Sequence, residues 1–166
     1  MPAGSTYSTI QTTTLGSAAA SVTLSSIPST YTDLILIANV QASTAGQGLT
    51  MQFNGDTGSN YSTTGLRGNG TAASSFRQTT STNILLSNFA EPPTGSQNVC
   101  IAQFQNYSNS TTNKTVLTRA NSAGFGVDAL VGLWRSTSAI SSIRIDITGG
   151  TMSIGSNFTL YGITAA

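Results

Sequence analysis

The side chains that could carry out acid–base or nucleophilic chemistry are few in this chain. Histidine is absent from its 166 residues, so neither a Ser-His-Asp nor a Cys-His arrangement can form. The carboxylates are widely spaced, and most lie in turn-like segments or at the starts of predicted strands. They are Asp33, Asp56, Glu91, Asp128 and Asp146. We interpret them as turn caps and solvated charges, with a glycosidase pair as the weakest alternative, and expect a protein that is not an enzyme and needs no cofactor.

Metal and phosphate sites are also poorly matched by the sequence. The segment 54–60, Asn-Gly-Asp-Thr-Gly-Ser-Asn, has oxygen donors at alternate positions like the start of a calcium loop. The glutamate that such a loop requires is replaced by Gly65, so we interpret the segment as a tight turn and a cation site as the lesser alternative. The glycine-rich segment 65–70 has neither dinucleotide nor P-loop spacing and predicts a flexible loop. Cys100, the single cysteine, lies in an apolar run and is expected in the core.

A few aromatic and basic residues are candidates for binding rather than catalysis. Aromatic rings in loops can stack on sugar rings, and arginine is enriched in protein interfaces. The candidate contacts with a glycan or a partner are Tyr61, Arg67, Tyr107 and Trp134. For Trp134, a half-buried position in the sandwich is the preferred interpretation. Four further arginines are few enough that each is expected to hold a specific ion pair or a subunit contact: Arg77, Arg119, Arg135 and Arg144.

The composition predicts a folded chain without a strongly charged partner. Six Lys/Arg and five Asp/Glu give a formal net charge of +1, which offers no electrostatic attraction to nucleic acid or to an anionic membrane. We therefore expect neither as a partner. The length fits one domain, which we place at residues 7–166 after a flexible arm at residues 1–6. The first residues resemble no signal peptide, so synthesis in the cytoplasm without a targeting signal is expected.

Short apolar stretches separated by turn residues predict an all-β protein. The unbroken Leu-Ile-Leu-Ile run within residues 33–41 indicates a strand buried on both faces, and residues 49–53 alternate with period two. Residues 59–82, rich in Gly, Ser, Thr and Asn, predict long loops around one or two short strands. Further strands are predicted at 7–14, 21–24, 83–86, 99–104, 114–119, 129–134, 143–147 and 158–163. About ten short strands indicate an antiparallel β-sandwich that is jelly-roll-like.

Five segments spread along the chain carry a resemblance to known proteins. They are Tyr7-Ser8-Thr9-Ile10, residues 25–34 (Ser-Ser-Ile-Pro-Ser-Thr-Tyr-Thr-Asp-Leu), residues 51–56 (Met-Gln-Phe-Asn-Gly-Asp), residues 131–136 (Val-Gly-Leu-Trp-Arg-Ser) and residues 158–163 (Phe-Thr-Leu-Tyr-Gly-Ile). In these segments the chain resembles small virion structural proteins of tailed bacteriophages, especially phages of cyanobacteria. The resemblance implies a jelly-roll or related β-sandwich domain on a capsid or in a tail fibre, and it transfers no functional residues.

Two locations in a virion fit these expectations. The first is a capsid decoration or cement protein that stabilises the head lattice, with the major capsid protein or other virion proteins as partners and a homo-oligomer, favoured as a trimer, as its form. The alternative is a tail-fibre or spike module that recognises host surface glycan through loops at 54–82 and 105–113. A lectin-like accessory domain of an enzyme ranks below both. The predicted location is the virion.

Overall fold

The computed structural model describes residues 6–164, which form twelve β-strands and no helix. The strands are β1 (Tyr7–Thr14), β2 (Ser21–Leu24), β3 (Asp33–Val40), β4 (Leu49–Phe53), β5 (Tyr61–Gly68), β6 (Ala73–Ser81), β7 (Ile84–Ser87), β8 (Asn98–Phe104), β9 (Lys114–Ser122), β10 (Gly126–Trp134), β11 (Ile143–Ile147) and β12 (Asn157–Ile163). The predicted all-β sandwich is confirmed, with twelve strands instead of about ten. The predicted arm at residues 1–6 lies, except for Thr6, outside the described residues.

Two antiparallel sheets enclose the core. The large sheet has eight strands in the order β1-β12-β3-β8-β9-β10-β5-β6, and the small sheet has four in the order β2-β11-β4-β7. Their facing sides share one cluster of buried side chains, in which Leu36 and Phe158 come from the large sheet and Phe53 and Ile145 from the small one. Cys100 is fully buried in this cluster, as its apolar neighbours predicted.

Eight of the strands change sheet at each step from one to the next along the chain, except from β4 to β7, which both lie in the small sheet. β1, β3, β8 and β12 belong to the large sheet, whereas β2, β4, β7 and β11 form the small sheet. The other four strands are two hairpins, β5–β6 and β9–β10, which both add to the β8 side of the large sheet. We call these four strands the extension. It is the part of the large sheet that goes beyond a four-on-four sandwich.

The extension corrects the prediction of long loops at residues 59–82. β5 and β6 are strands of eight and nine residues that pair along most of their length. The loop prediction was wrong because β6 is an edge strand whose residues are mostly exposed on both faces, so it needs no apolar alternation. On β5, Gly65 points inward between Leu130 and Phe76, where any Cβ would collide with both side chains. A glycine there marks close packing instead of flexibility.

β7 covers the inner side of the extension. The Ile84 side chain occupies the space above Gly132 of β10, and the Leu85 amide donates a hydrogen bond to Thr63 Oγ1 at 3.2 Å. These contacts fix which face of β5 and β10 is turned to the core. The opposite face of the extension has no such cover among the described residues.

Candidate interaction surface

The uncovered face of the extension is apolar. An antiparallel sheet with one face in solvent normally alternates apolar residues inward with polar residues outward. In β10 the outward positions are instead Val127, Ala129, Val131 and Leu133, and the inward positions include Asp128. An apolar sheet face of this kind is typical of a surface that contacts another molecule.

Neighbouring strands continue the apolar surface. Val131 is paired with Leu117 of β9, and Ala129 is paired with Leu66 of β5. The exposed fractions are 64% for Leu66, 57% for Val127, 47% for Leu117 and 43% for Val131. We call the surface formed by Leu66, Leu117, Val127, Ala129 and Val131 the outer apolar face. All of its residues except Val127 line a groove of about 540 Å³ that reaches Ile101 on β8.

The apolar character extends beyond the extension onto β3. The prediction that β3 is buried on both faces is wrong, because its residues alternate between fully buried and partly exposed. Ile35 and Ile37 are the partly exposed ones, and Ile37 is paired with Ile101 at the edge of the groove. The unbroken apolar run of β3 therefore has one side in the core and the other on the open surface that includes the outer apolar face.

Three arginines lie on this same side of the extension. Arg119 is paired with Ile101 on one side and with Ala129 on the other. Arg77 Nε donates to Thr64 Oγ1 at 3.1 Å, and Arg135 donates to the hydroxyl of Ser62. All three side chains are exposed. Within residues 6–164 the ion pair present is Arg144–Asp146 on β11 of the small sheet, so these three guanidinium groups have no carboxylate within 4.0 Å.

The fourth arginine, Arg144, meets its expectation of a specific ion pair. Its Nη2 lies 2.7 Å from Asp146 Oδ1, and the two residues are two positions apart on the same face of β11. This pairing raises the pKa of the Arg144 guanidinium, mainly through the side-chain hydrogen bond to Asp146. For Arg77, Arg119 and Arg135 the other expectation, a subunit contact, stays a prediction.

The positions of the three aromatic residues correct the expectation that they contact a glycan. Tyr61 and Tyr107 have no exposed surface, and Trp134 is only 2% exposed. Tyr61 and Trp134 stack on each other with ring centroids 6.2 Å apart. Their rings are occupied by the core, so none of the three can stack on a sugar in this structure. Tyr61 and Tyr107 were predicted in loops because their surroundings are rich in Ser, Thr and Asn, whereas Trp134, for which a half-buried position was preferred, is almost completely buried.

The polar ends of these aromatic residues all have partners inside the fold. Trp134 Nε1 donates to Asp56 Oδ2 at 2.7 Å, and the Tyr61 hydroxyl donates to the Asp56 carbonyl at 2.9 Å. The Tyr107 hydroxyl donates to the carbonyl of Pro28. Burial raises the pKa of Tyr61 to about 12. These bonds explain why such large amphipathic side chains can leave solvent completely.

Asp56 is the centre of the segment that was compared with a calcium loop. Its carboxylate accepts hydrogen bonds from Trp134, from the Asn60 amide at 3.0 Å and from the Gly58 backbone amide at 2.8 Å. The hydrogen bond from Trp134, followed by that from Asn60, lowers the pKa of Asp56. The segment is thus a turn held by its aspartate, as the first interpretation had it. Among residues 6–164 no group of three His, Cys, Asp or Glu side chains converges on a metal-binding position.

Arg67, the remaining candidate contact, lies half-buried on the other side of β5 from Leu66. Its Nε donates to Ser74 Oγ at 3.0 Å. The guanidinium carbon lies 5.7 Å from the centroid of the Phe76 ring and 5.5 Å from that of Phe89. Arg67 therefore joins β5, β6 and the loop after β7, and is engaged by cation–π contacts.

Asp128 is a structural residue that the sequence interpretation missed. It is only 3% exposed, and its Oδ2 accepts hydrogen bonds from the backbone amides of Asn88, Phe89 and Ala90 at 2.8, 2.8 and 2.9 Å. Its other oxygen, Oδ1, has no hydrogen-bond partner in the described structure. The local pattern gave no signal for this burial, because the opposite phase of β10 is wholly apolar and favours the reverse orientation of the strand.

Comparison with known proteins adds no relative to this description: no family model, no curated protein and no solved structure matches the chain. In residues 6–164 no helix is long and apolar enough to cross a membrane. The function must therefore be argued from the surface itself.

Proposed function

We propose that this chain is a virion structural protein, specifically a capsid decoration protein that binds the head of a tailed bacteriophage through its outer apolar face. The observation that carries the proposal is this face, on which Leu66, Leu117, Val127 and Val131 are each about half exposed on paired strands. A chain that adds two hairpins to a sandwich and then leaves their apolar side uncovered has a surface suited to assembly.

The strand order supports a virion role at the level of fold. Without the two hairpins, the order β1-β12-β3-β8 faces β2-β11-β4-β7, and the chain changes sheet at every step except from β4 to β7. We propose that this is a jelly roll enlarged by the extension. Jelly rolls occur in viral capsid proteins, and also in lectins and cupins, so the fold agrees with the proposal without deciding it.

The same structure weakens the glycan-binding alternative. That alternative rested on aromatic rings in loops, and Tyr61, Tyr107 and Trp134 are all buried. An apolar face with aliphatic side chains also suits protein contact better than polysaccharide, whose recognition relies on aromatic stacking and hydrogen bonds. The proposal accordingly assigns the chain an assembly role and no catalytic step.

The energetic size of the contact can be stated for two residues at its centre. Leu117 and Val131 are a cross-strand pair, 47% and 43% exposed. Completing their burial stabilises a complex by about 1 kcal/mol for each side chain, since full burial of such a residue contributes about 1.5–3 kcal/mol. The double variant Leu117→Ser/Val131→Ser should therefore bind about thirtyfold more weakly.

The test uses virions that carry the chain. Cryo-electron microscopy should place it on the head shell with the outer apolar face turned toward a neighbouring protein. In rebinding to shells from which it has been removed, Leu117→Ser/Val131→Ser should lose affinity. The control Ile154→Ser, at a residue 67% exposed in the turn before β12, should keep it. Finding the chain only on tails, or equal rebinding of both variants, would show that the proposal is wrong.

A further inference from the structure

We infer that the occupant of the outer apolar face is a protein surface that presents carboxylates among apolar side chains, and is not a second copy of the same face. The inference rests on the proposed function only in treating this face as a docking surface. It specifies the chemistry of the partner from the charges on the face.

Among the described residues, the charged groups on this side of the extension are all positive. Arg77, Arg119 and Arg135 lie on this side of the extension without a carboxylate within 4.0 Å among residues 6–164. Arg119 lies between Ile101 and Ala129 in the sheet register, so a molecule that covers the groove must also cover its guanidinium group. A guanidinium that loses solvent without gaining an acceptor opposes binding strongly. The occupant therefore has to bring anionic acceptors to an otherwise apolar contact.

The same face of a second copy is a poor occupant of the outer apolar face. A two-fold dimer through this surface would place one set of arginines opposite another set, and like charges at an interface oppose association. The outward positions of β9 and β10 contain no aspartate or glutamate that could alternate with them. The face is complementary to a negative surface and repels itself.

Carboxylates elsewhere on a second copy are also poor partners for these arginines. Asp128 is buried, and Asp146 pairs with Arg144. The Asp56 carboxylate already accepts hydrogen bonds from Trp134, Asn60 and Gly58. Of the five acidic residues in the sequence, Asp33 and Glu91 are the two that remain. Asp33 also accepts a hydrogen bond from the Asn106 amide at 2.7 Å. Copies of this chain are therefore poorly supplied with the groups that three arginines require, and a different protein is the better fit.

The test uses two defined probes on the full-length chain. The anionic probe is 8-anilinonaphthalene-1-sulfonate, and the neutral probe is N-phenyl-1-naphthylamine, which has the same aromatic body without the sulfonate. The anionic probe should bind the native chain more tightly than the neutral one, with an affinity that falls as salt is added. Arg119→Gln should weaken the anionic probe by about tenfold, the effect of one charge-assisted contact, and leave the neutral probe unchanged.

Matched variants make the result decisive. Arg144→Gln removes an arginine from the small sheet and should leave the affinity for the anionic probe unaltered, whereas Arg77→Gln/Arg119→Gln/Arg135→Gln should abolish its advantage over the neutral probe. Unchanged emission from the buried Trp134 confirms that each variant is folded. Equal affinity for the two probes, or no effect of the triple substitution, would overturn the inference.

Analytical sedimentation of the chain tests the competing hypothesis that a second copy covers the outer apolar face. If the wild type forms a dimer that Leu117→Ser disrupts and Arg119→Gln strengthens, the face is occupied by a second copy and the inference is wrong. A wild type in which Leu117→Ser leaves the oligomeric state unchanged supports a different partner. These solution measurements hold wherever the chain is found in a virion, so failure of the decoration proposal and failure of this inference are distinguishable.

Discussion

The Asp128 carboxylate offers the sharpest test of how the extension is held to the sandwich. Its Oδ2 accepts three backbone amides of the segment Asn88–Ala90, and the bond from Ala90 is buried while the other two are partly buried. Asp128→Ala leaves all three amides without this acceptor. The loss is about 1–3 kcal/mol for the buried amide and about 0.5–1.5 kcal/mol for each amide that water can reach. We therefore expect the free energy of unfolding to fall by about 4 kcal/mol.

The assay is equilibrium unfolding in urea, followed by the fluorescence of Trp134, the single tryptophan of the chain. For a chain of this length, the expected loss corresponds to a fall in Tm of about 8–16 °C. Asp146→Ala is the matched control, because it removes a carboxylate from an exposed ion pair with Arg144 and should cost about 0.2–1 kcal/mol. If the two variants lose the same stability within about 1 kcal/mol, the role assigned to Asp128 is refuted.

Three further predictions concern the core and its boundary. Hydrogen bonds from Trp134 and Asn60 lower the pKa of Asp56, so its contribution to stability is present above the pKa of an unfolded aspartate and is lost as pH falls through the folded pKa. In urea unfolding at pH 2–6, Asp56→Asn should therefore lose less stability on acidification than the wild type does. An unchanged pH dependence would contradict the reasoning. Gly65→Ala should destabilise the fold by about 1–3 kcal/mol through overpacking against Leu130 and Phe76, whereas Gly95→Ala, with nothing within 4 Å of the added Cβ, should be nearly neutral in thermal unfolding. Burial raises the pKa of Cys100 to about 12, so the native thiol should react with a disulfide reagent only as fast as the chain unfolds, and rapid modification of folded protein would contradict its burial.

The sequence predicted strands well where alternate residues of a strand are buried in the core. Residues 49–53 were predicted with the bounds that β4 has, and 33–41 differs from β3 by one residue. β6 escaped prediction because an exposed edge strand can be built from Ser, Thr and Gln, which are also loop residues. The β5–β6 hairpin depends on pairing with β10, a long-range contact that local patterns do not contain.

The candidate surface was only partly predictable for a related reason. In β10 both phases contain apolar residues, so the pattern indicated a strand without indicating which side faces solvent. For Arg77, Arg119 and Arg135 a subunit contact stays a prediction, and their position on one side of the sheet could not be predicted because it depends on strand register. Trp134 packs against Phe53 and Tyr61, and its indole nitrogen finds an acceptor in Asp56, 78 positions away, a partner that no local signal reveals.

The placement of β12 also governs how the chain reaches its native state. β12 lies between β1 and β3 in the large sheet, with Phe158 paired to Thr13 on one side and to Ala38 on the other. A ribosome adds about 5–20 residues each second, so β1 and β3 emerge seconds before the strand that joins them. During that interval their apolar positions have no native partner in the large sheet on that side. Closure of the large sheet therefore follows synthesis of nearly the whole described chain, and until then β3 has an unpaired edge on the side that β12 will occupy.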